Sequence, residues 1–156
     1  PACAASLRLP PVRLATSILV EDSLAGGVSF FLAELLRIKG VVAAAAEAEA
    51  RGAVLLYLLD EVLRGTNSAE RQVAVRRVLR HLLARGALGA VSTHDLELAT
   101  GAGIADAARP VHFRETLTPG PDGPRMTFDY RLRPGPATTT NALELLRQVG
   151  LELPED

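Results

Sequence analysis

Apolar positions change their period several times along the chain, and each change marks an element. From Ala53 to Leu59 the residues run Ala-Val-Leu-Leu-Tyr-Leu-Leu with no polar alternation, then end on Asp60-Glu61. Such a run fits a strand covered on both faces, as at the centre of a parallel α/β sheet. A shorter run, Leu88–Val91, ends in the same way on Ser92-Thr93-His94-Asp95. Between and before these runs the period becomes helical. Phe31, Leu35, Ile38, Val42 and Ala45 form one stripe, with Ser29 placed as the N-cap and Gly52 as the stop. Asn67 with Glu70 three residues on resembles a capping box. It opens a helix to about Arg85, with Val75, Val78, Leu79 and Leu82 inward and Gly86 as its end.

The two ends of the chain read differently. Ser6–Leu9 and Ala15–Val20 are extended pieces separated by Pro10-Pro11, which a central strand cannot cross. After a short helix, Asp95–Thr100, two strands follow at 111–116 and 126–132. Met126, Phe128, Tyr130 and Leu132 alternate with Thr127, Asp129 and Arg131, the half-buried pattern. The turn formers between Thr118 and Pro124 join these strands as an antiparallel hairpin, on which His112 faces outward and is no ligand. A last helix is capped by Asn141, buries Ala142, Leu145, Leu146 and Val149, and stops at Gly150. The expected strands are 15–20, 54–59, 88–91, 111–116 and 126–132. They predict a layered α/β fold, mostly parallel, with an antiparallel hairpin near the C-terminus.

A chain of 156 residues predicts one domain with a real core. Its 48% apolar and 22% charged residues are those of a globular protein, and a net charge of −1 sets up no global field toward nucleic acid or membrane. Cys3 is the only cysteine, so neither an intrachain disulfide nor a cysteine-based metal site is possible, and a reducing cytoplasm fits. No apolar stretch is long enough to span a bilayer, and the start lacks the layout of a signal peptide. It also lacks an initiator Met, which suggests a fragment.

Candidate chemistry gathers at the ends of the two apolar runs. Asp60 and Glu61 sit where open α/β sheets place their ligands. They read either as metal and water ligands or as the solvated end of a core strand. His94 reads as a reactive imidazole or as part of a capping loop. Gly26-Gly27-Val28-Ser29 reads as a flexible turn and cap, or as a glycine-rich turn that offers a helix N-terminus to a phosphate. Arg71, Arg76, Arg77, Arg80 and Arg85 give their helix a basic outer side, expected to be solvated.

Taken together these pieces resemble the ATPase domain of MutS-type DNA mismatch repair proteins, from about Ala15 to Leu151. Asp60-Glu61 with Arg64-Gly65-Thr66 looks like the family's Walker B and D-loop, D-E-x-x-R-G-T. Ser92-Thr93-His94 looks like its A/S-T-H switch. Asp22-Ser23-Leu24 with Ser29-Phe30 and Glu34 looks like its signature segment. Asp129-Tyr130 to Gly135 looks like the Y-x-x-x-x-G stretch before its closing helix. Asn67-Ser68 and Phe30-Phe31 depart from the usual residues, which places the chain on a divergent branch. The family's Walker A loop, G-x-x-x-x-G-K-S/T, is absent, and the only lysine is Lys39 inside the long helix. The resemblance therefore implies the C-terminal part of an ABC-type, three-layer P-loop NTPase domain, without Walker A and without the DNA-binding domains.

By that resemblance Asp60 coordinates Mg²⁺, Glu61 serves the hydrolytic water, and His94 contacts the γ-phosphate of ATP. Arg64, Gly65 and Thr66 form the D-loop. Ser29 and the backbone at Gly27 act in trans, on the nucleotide of a partner subunit in a homodimer. DNA would be held by domains outside this stretch, and no membrane is involved. Two alternatives stay open: another ABC-type ATPase of chromosome maintenance, and a non-catalytic dimerisation module.

Overall fold

The computed structural model describes residues 4–18, 30–63, 67–101, 103–118, 120 and 125–137. The chain divides into two compact units, 1–107 and 108–156.

The first unit is a parallel sheet carrying helices. Strands β1 (Val12–Ser17), β2 (Val54–Asp60) and β3 (Leu88–Ser92) stand in the order β1-β2-β3. Helix α1 (Phe30–Ala50) connects the first pair and α2 (Ser68–Ala84) the second. Right-handed crossovers taken in one direction across a sheet place both helices on the same face, and α1 does touch α2. The helix ends are those the glycines predict. Gly52 and Gly86 adopt φ of +65° and +68°. The next residue in each case donates its N–H back across the turn, Ala53 to the Ala48 carbonyl and Ala87 to that of Leu82. Asn67 caps α2 by accepting the Glu70 N–H at 2.9 Å.

Strand β1 starts three residues before the expected position, directly after Pro11. The Pro11 carbonyl accepts the Val54 N–H at 2.9 Å, and the register then runs from Val12↔Val54 to Ser17↔Leu59. The chain can pair as soon as the prolines end. Residues 19 and 20 lie outside the described residues. Ser6–Leu9 is exposed and forms no strand.

Burial along β2 corrects the expectation of a strand covered on both faces. Leu55, Tyr57 and Leu59 are buried, while Val54, Leu56 and Leu58 are only half-buried. On their side of the sheet Leu14, Leu56 and Leu88 lie in one register row, and Leu14 and Leu88 are exposed. The buried side joins Ile38, Val41, Ala44, Ala45 and Ala48 of α1 with Val75, Leu79 and Leu82 of α2 in one core. The inward face of α1 is thus turned by about one residue from the stripe expected. Leu35 is exposed, whereas Glu34, Ala44, Ala45 and Ala48 are buried. Alanines let the helix approach the sheet closely, and that approach outweighs the larger side chains in setting the face.

The second unit holds β4 (Val111–His112), β5 (Glu115–Thr118), β6 (Arg125–Phe128) and β7 (Arg133–Pro134). β5 pairs antiparallel with β6, and β4 with β7. The expected hairpin is therefore present but broken. Asp129–Leu132 bulges out opposite Phe113-Arg114. Tyr130 adopts φ of +54°, which no strand can contain. Asp129 builds this knuckle by accepting the Arg131 N–H at 3.0 Å and pairing with Arg133 at 2.7 Å. The expected apolar side is not buried: Met126, Phe128, Tyr130 and Leu132 are all exposed. His112 is half-buried, not outward, and its Nδ1 lies 2.9 Å from the Gly135 carbonyl. The last helix expected at 141–149 falls outside the described residues, as does most of the linker before β6.

Candidate functional site

Parallel pairing puts the carboxyl ends of β2 and β3 side by side, with Asp60 opposite Ser92. Asp60 is exposed and accepts a hydrogen bond from Ser92 Oγ. One residue on, the Glu61 N–H donates to the Ser92 carbonyl at 3.2 Å. The two adjacent acids are thus both tied to Ser92, one by side chain and one by backbone.

The chain turns sharply there. Glu61 and Leu63 adopt φ of +47° and +59°, unusual for residues with a Cβ. Two buried side chains hold the turn, Val62 and Leu63, the latter 1% exposed. Their burial overrides the local backbone cost. The turn aims the Glu61 carboxylate at the next strand end. His94 Nδ1 lies 2.6 Å from Glu61 Oε2, with Glu61 mostly covered and His94 largely in solvent. A carboxylate only accepts hydrogen bonds, so this contact places a proton on Nδ1 and leaves Nε2 on the far side of the ring.

The loop carrying His94 is itself anchored. The Asp95 N–H donates to Thr93 Oγ1 at 3.0 Å. Helix α3 (Leu96–Thr100) follows, with Asp95 at its N-cap position but without a capping bond from its side chain. That side chain turns to α2 and accepts from Gln72 Nε2 at 3.1 Å, with Arg71 Nη2 at 3.6 Å. Burial pushes the Asp95 carboxyl up. The Gln72 hydrogen bond, the backbone N–H groups of Leu98 and Glu97 and the Arg71 charge together outweigh it, so it titrates below the ordinary aspartate value.

The basic side of α2 is therefore not simply solvated, as its spacing suggested. Arg71 faces Asp95, and Arg76 donates to the Glu97 carbonyl at 3.2 Å. Arg85 pairs with Glu49 of α1 at 2.6 Å and donates to His81 Nε2 at 3.2 Å. Glycines make room for two of these guanidinium groups. A Cβ at Gly101 would stand 2.8 Å from Arg76 Nε, and one at Gly103 2.7 Å from Arg80 Nε.

Of the expected site residues, the structure brings together Asp60, Glu61 and His94. Gly27, Ser29, Arg64, Gly65 and Thr66 lie outside the described residues. Sequence reasoning missed the double role of Ser92 and the tie from Asp95 to α2. The first could have been read from parallel pairing of two strands that both end in polar residues. The second joins residues far apart in sequence, with no motif to mark it. Oxygen ligands suit Mg²⁺, which takes one or two carboxylates plus phosphates and waters. Asp60, an exposed carboxylate with the Ser92 hydroxyl against it, fits that demand. No cluster of three or more metal-ligating side chains occurs among the described residues. A cation here would need further ligands from nucleotide and water. No helix of the described residues is long and apolar enough to cross a membrane.

Two parallel strands whose carboxyl ends carry acids and an imidazole, joined by crossover helices, make this unit one of the α/β class. Comparison with known proteins then names the family. MutS domain V matches residues 1–155, and the chain belongs to that family. It is 34% identical over 155 residues to the DNA mismatch repair protein MutS 2 of Halobacterium salinarum, covering 99% of this chain and 17% of that protein. It is 36% identical over 143 residues to the endonuclease MutS2 of Thermomicrobium roseum, covering 87% of this chain and 15% of that protein. With the DNA mismatch repair protein MutS of Natronomonas pharaonis it shares 31% over 140 residues, 89% of this chain and 15% of that protein. The chain spans about a sixth of the length of such relatives.

Proposed function

We propose that this chain is the C-terminal part of the ATP-binding and hydrolysing domain of a MutS-like DNA mismatch repair or recombination protein. The observation that carries the reading is the Glu61–His94 contact at 2.6 Å, beside Asp60 at the same end of the sheet. In this reading Asp60 is the ligand of Mg²⁺, with Ser92 fixing its carboxylate. Glu61 orients or deprotonates the attacking water, and its bond to His94 keeps the carboxylate aimed and the imidazole in one tautomer. His94 presents Nε2 toward the γ-phosphate. Bound Mg²⁺ supplies neutralisation of phosphate charge.

The same reading makes the domain a three-layer P-loop fold, completed by a Walker A loop carried elsewhere in the protein. Gly27 and Ser29 then serve the nucleotide of the second subunit in a homodimer, and Arg64, Gly65 and Thr66 the D-loop between the two sites. DNA is held by other domains of the protein. The test is Glu61→Gln in a protein that includes the Walker A loop. ATP binding is expected to persist while turnover falls by roughly 10²–10⁴-fold, the usual effect of losing such a group. Full kcat in that variant would refute the assignment.

A further inference from the structure

A contact outside the expected motifs bears on this site. Asp95, next to His94, directs its side-chain hydrogen bond to α2 as well as lying over the start of α3. Its side chain, 9% exposed, is held by Gln72 and Arg71 in the first turns of α2. Its backbone N–H fixes the turn at Thr93, on the other side of His94. Farther along, Arg76 holds the Glu97 carbonyl, and Gly101 and Gly103 admit Arg76 and Arg80. Gln72, Arg76 and Arg80 lie four residues apart, so one stripe of α2 meets Asp95 and Glu97 and lies beside Gly101 and Gly103. His94 itself is largely in solvent, and among the described residues it is Glu61 that holds its ring. Its position therefore depends on the turn that carries it.

We propose that Asp95 is a positioning residue for His94: locked to Gln72 and Arg71, it fixes the imidazole against Glu61 and joins the His94 turn to the start of α2. The inference rests on the proposed function, because it presumes that His94 acts on nucleotide. Its chemistry is separate. Without the lock the turn gains freedom, and His94 leaves its place within an ångström or so. Misplacement on that scale costs on the order of a hundredfold in rate, and lost supporting contacts cost roughly ten- to a hundredfold.

The experiment measures ATPase kinetics of the whole protein that carries this chain, with His94→Ala, Asp95→Ala, Asp95→Asn, Gln72→Ala and the Gln72→Ala/Asp95→Ala pair. Asp95→Ala is expected to lower kcat about tenfold to a hundredfold, with KM for ATP within about twofold. Asp95→Asn keeps an oxygen for Gln72 and should recover part of the loss. The pair should be no slower than Asp95→Ala alone, since both changes remove one interaction. A merely structural role would instead lower thermal stability in all variants and leave kcat of the folded fraction unchanged. Unchanged kcat in Asp95→Ala beside a dead His94→Ala overturns this inference and leaves the proposed function standing. Full turnover in His94→Ala overturns both. If Asp95→Ala does not fold, wild-type kcat in both Asp95→Asn and Gln72→Ala overturns the inference in its place.

Discussion

Adding one methyl group to Gly89 should cost more than removing most core methyls would. Gly89 sits in β3 opposite Tyr57 of β2, and a Cβ there would lie 2.4 Å from the Tyr57 ring carbons and 2.4 Å from the Tyr57 carbonyl oxygen. Neither can give way cheaply. The ring is 6% exposed and packed in the core, and the carbonyl belongs to the strand paired on both sides. Relief must open the β2–β3 ladder. Overpacking of this kind costs typically 1–3 kcal/mol, and the blocked backbone puts Gly89→Ala at about 3 kcal/mol or beyond. That is a large part of the 5–15 kcal/mol that usually holds a domain together. Gly40→Ala is the matched control. Gly40 lies inside α1, and a Cβ there meets nothing within 4 Å. The same methyl should stabilise by about 0.5–1 kcal/mol through helix propensity. Urea unfolding of the 156-residue chain, followed by circular dichroism, reads both midpoints. A Gly89→Ala loss under about 0.5 kcal/mol, or a destabilising Gly40→Ala, would refute the packing argument.

The proposed function makes further predictions. The chain alone should not bind Mg·ATP tightly, because phosphate cradling needs the consecutive N–H groups and lysine of a P-loop; low-micromolar affinity by calorimetry would contradict this. In proteins that include Walker A, mixing a Walker A-disabled variant with a Ser29 variant carrying a bulky residue should restore one composite site. No ATPase recovery, with heterodimers shown to form, would exclude action of Ser29 in trans. The hydrogen bond and charge of Arg133 hold the Asp129 carboxyl well below the ordinary aspartate range. Its folded pKa is depressed, so the ion pair contributes above the unfolded aspartate value and is lost as pH falls through the folded one. NMR titration should find that low value and its return toward the ordinary range in Arg133→Ala.

Helix ends were legible in the sequence because their signals are local. Gly52, Gly86 and the Asn67–Glu70 cap each act within one turn of the chain. The two apolar runs were legible as strands for the same reason, since a continuous apolar stretch needs no partner to be recognised, but the expected burial of the second was wrong: in β3 only Val91 is even half-buried. The parallel pairing of their ends followed, but the contact between Glu61 and His94 did not. Facing was harder to read. The stripe on α1 was placed at Phe31, Leu35, Ile38, Val42 and Ala45; Ile38 and Ala45 are buried, but so are Val41, Ala44 and Ala48 while Leu35 is not, because close approach to a sheet rewards small residues. The hairpin was read as continuous because Met126 to Leu132 alternate cleanly. Asp129 offers the backbone a competing turn, and alternation cannot report that competition.

The site draws on these non-local choices more than on its own residues. Glu61 stands in a backbone conformation that its side chain does not favour, and it stays there because the next two residues, Val62 and Leu63, are drawn into the core. An acid at a regular strand end would project along the alternation of β2, away from its neighbour. The left-handed turn instead carries it across to β3, where His94 waits on a loop held by α2. Apolar burial therefore does the work of aiming a carboxylate, and a helix with no residue in the motif does the work of aiming the imidazole. A pattern such as D-E-x-x-R-G-T marks where the proposed chemistry lies. The two unnamed positions within it, here Val62 and Leu63, decide that Glu61 can reach its partner at all.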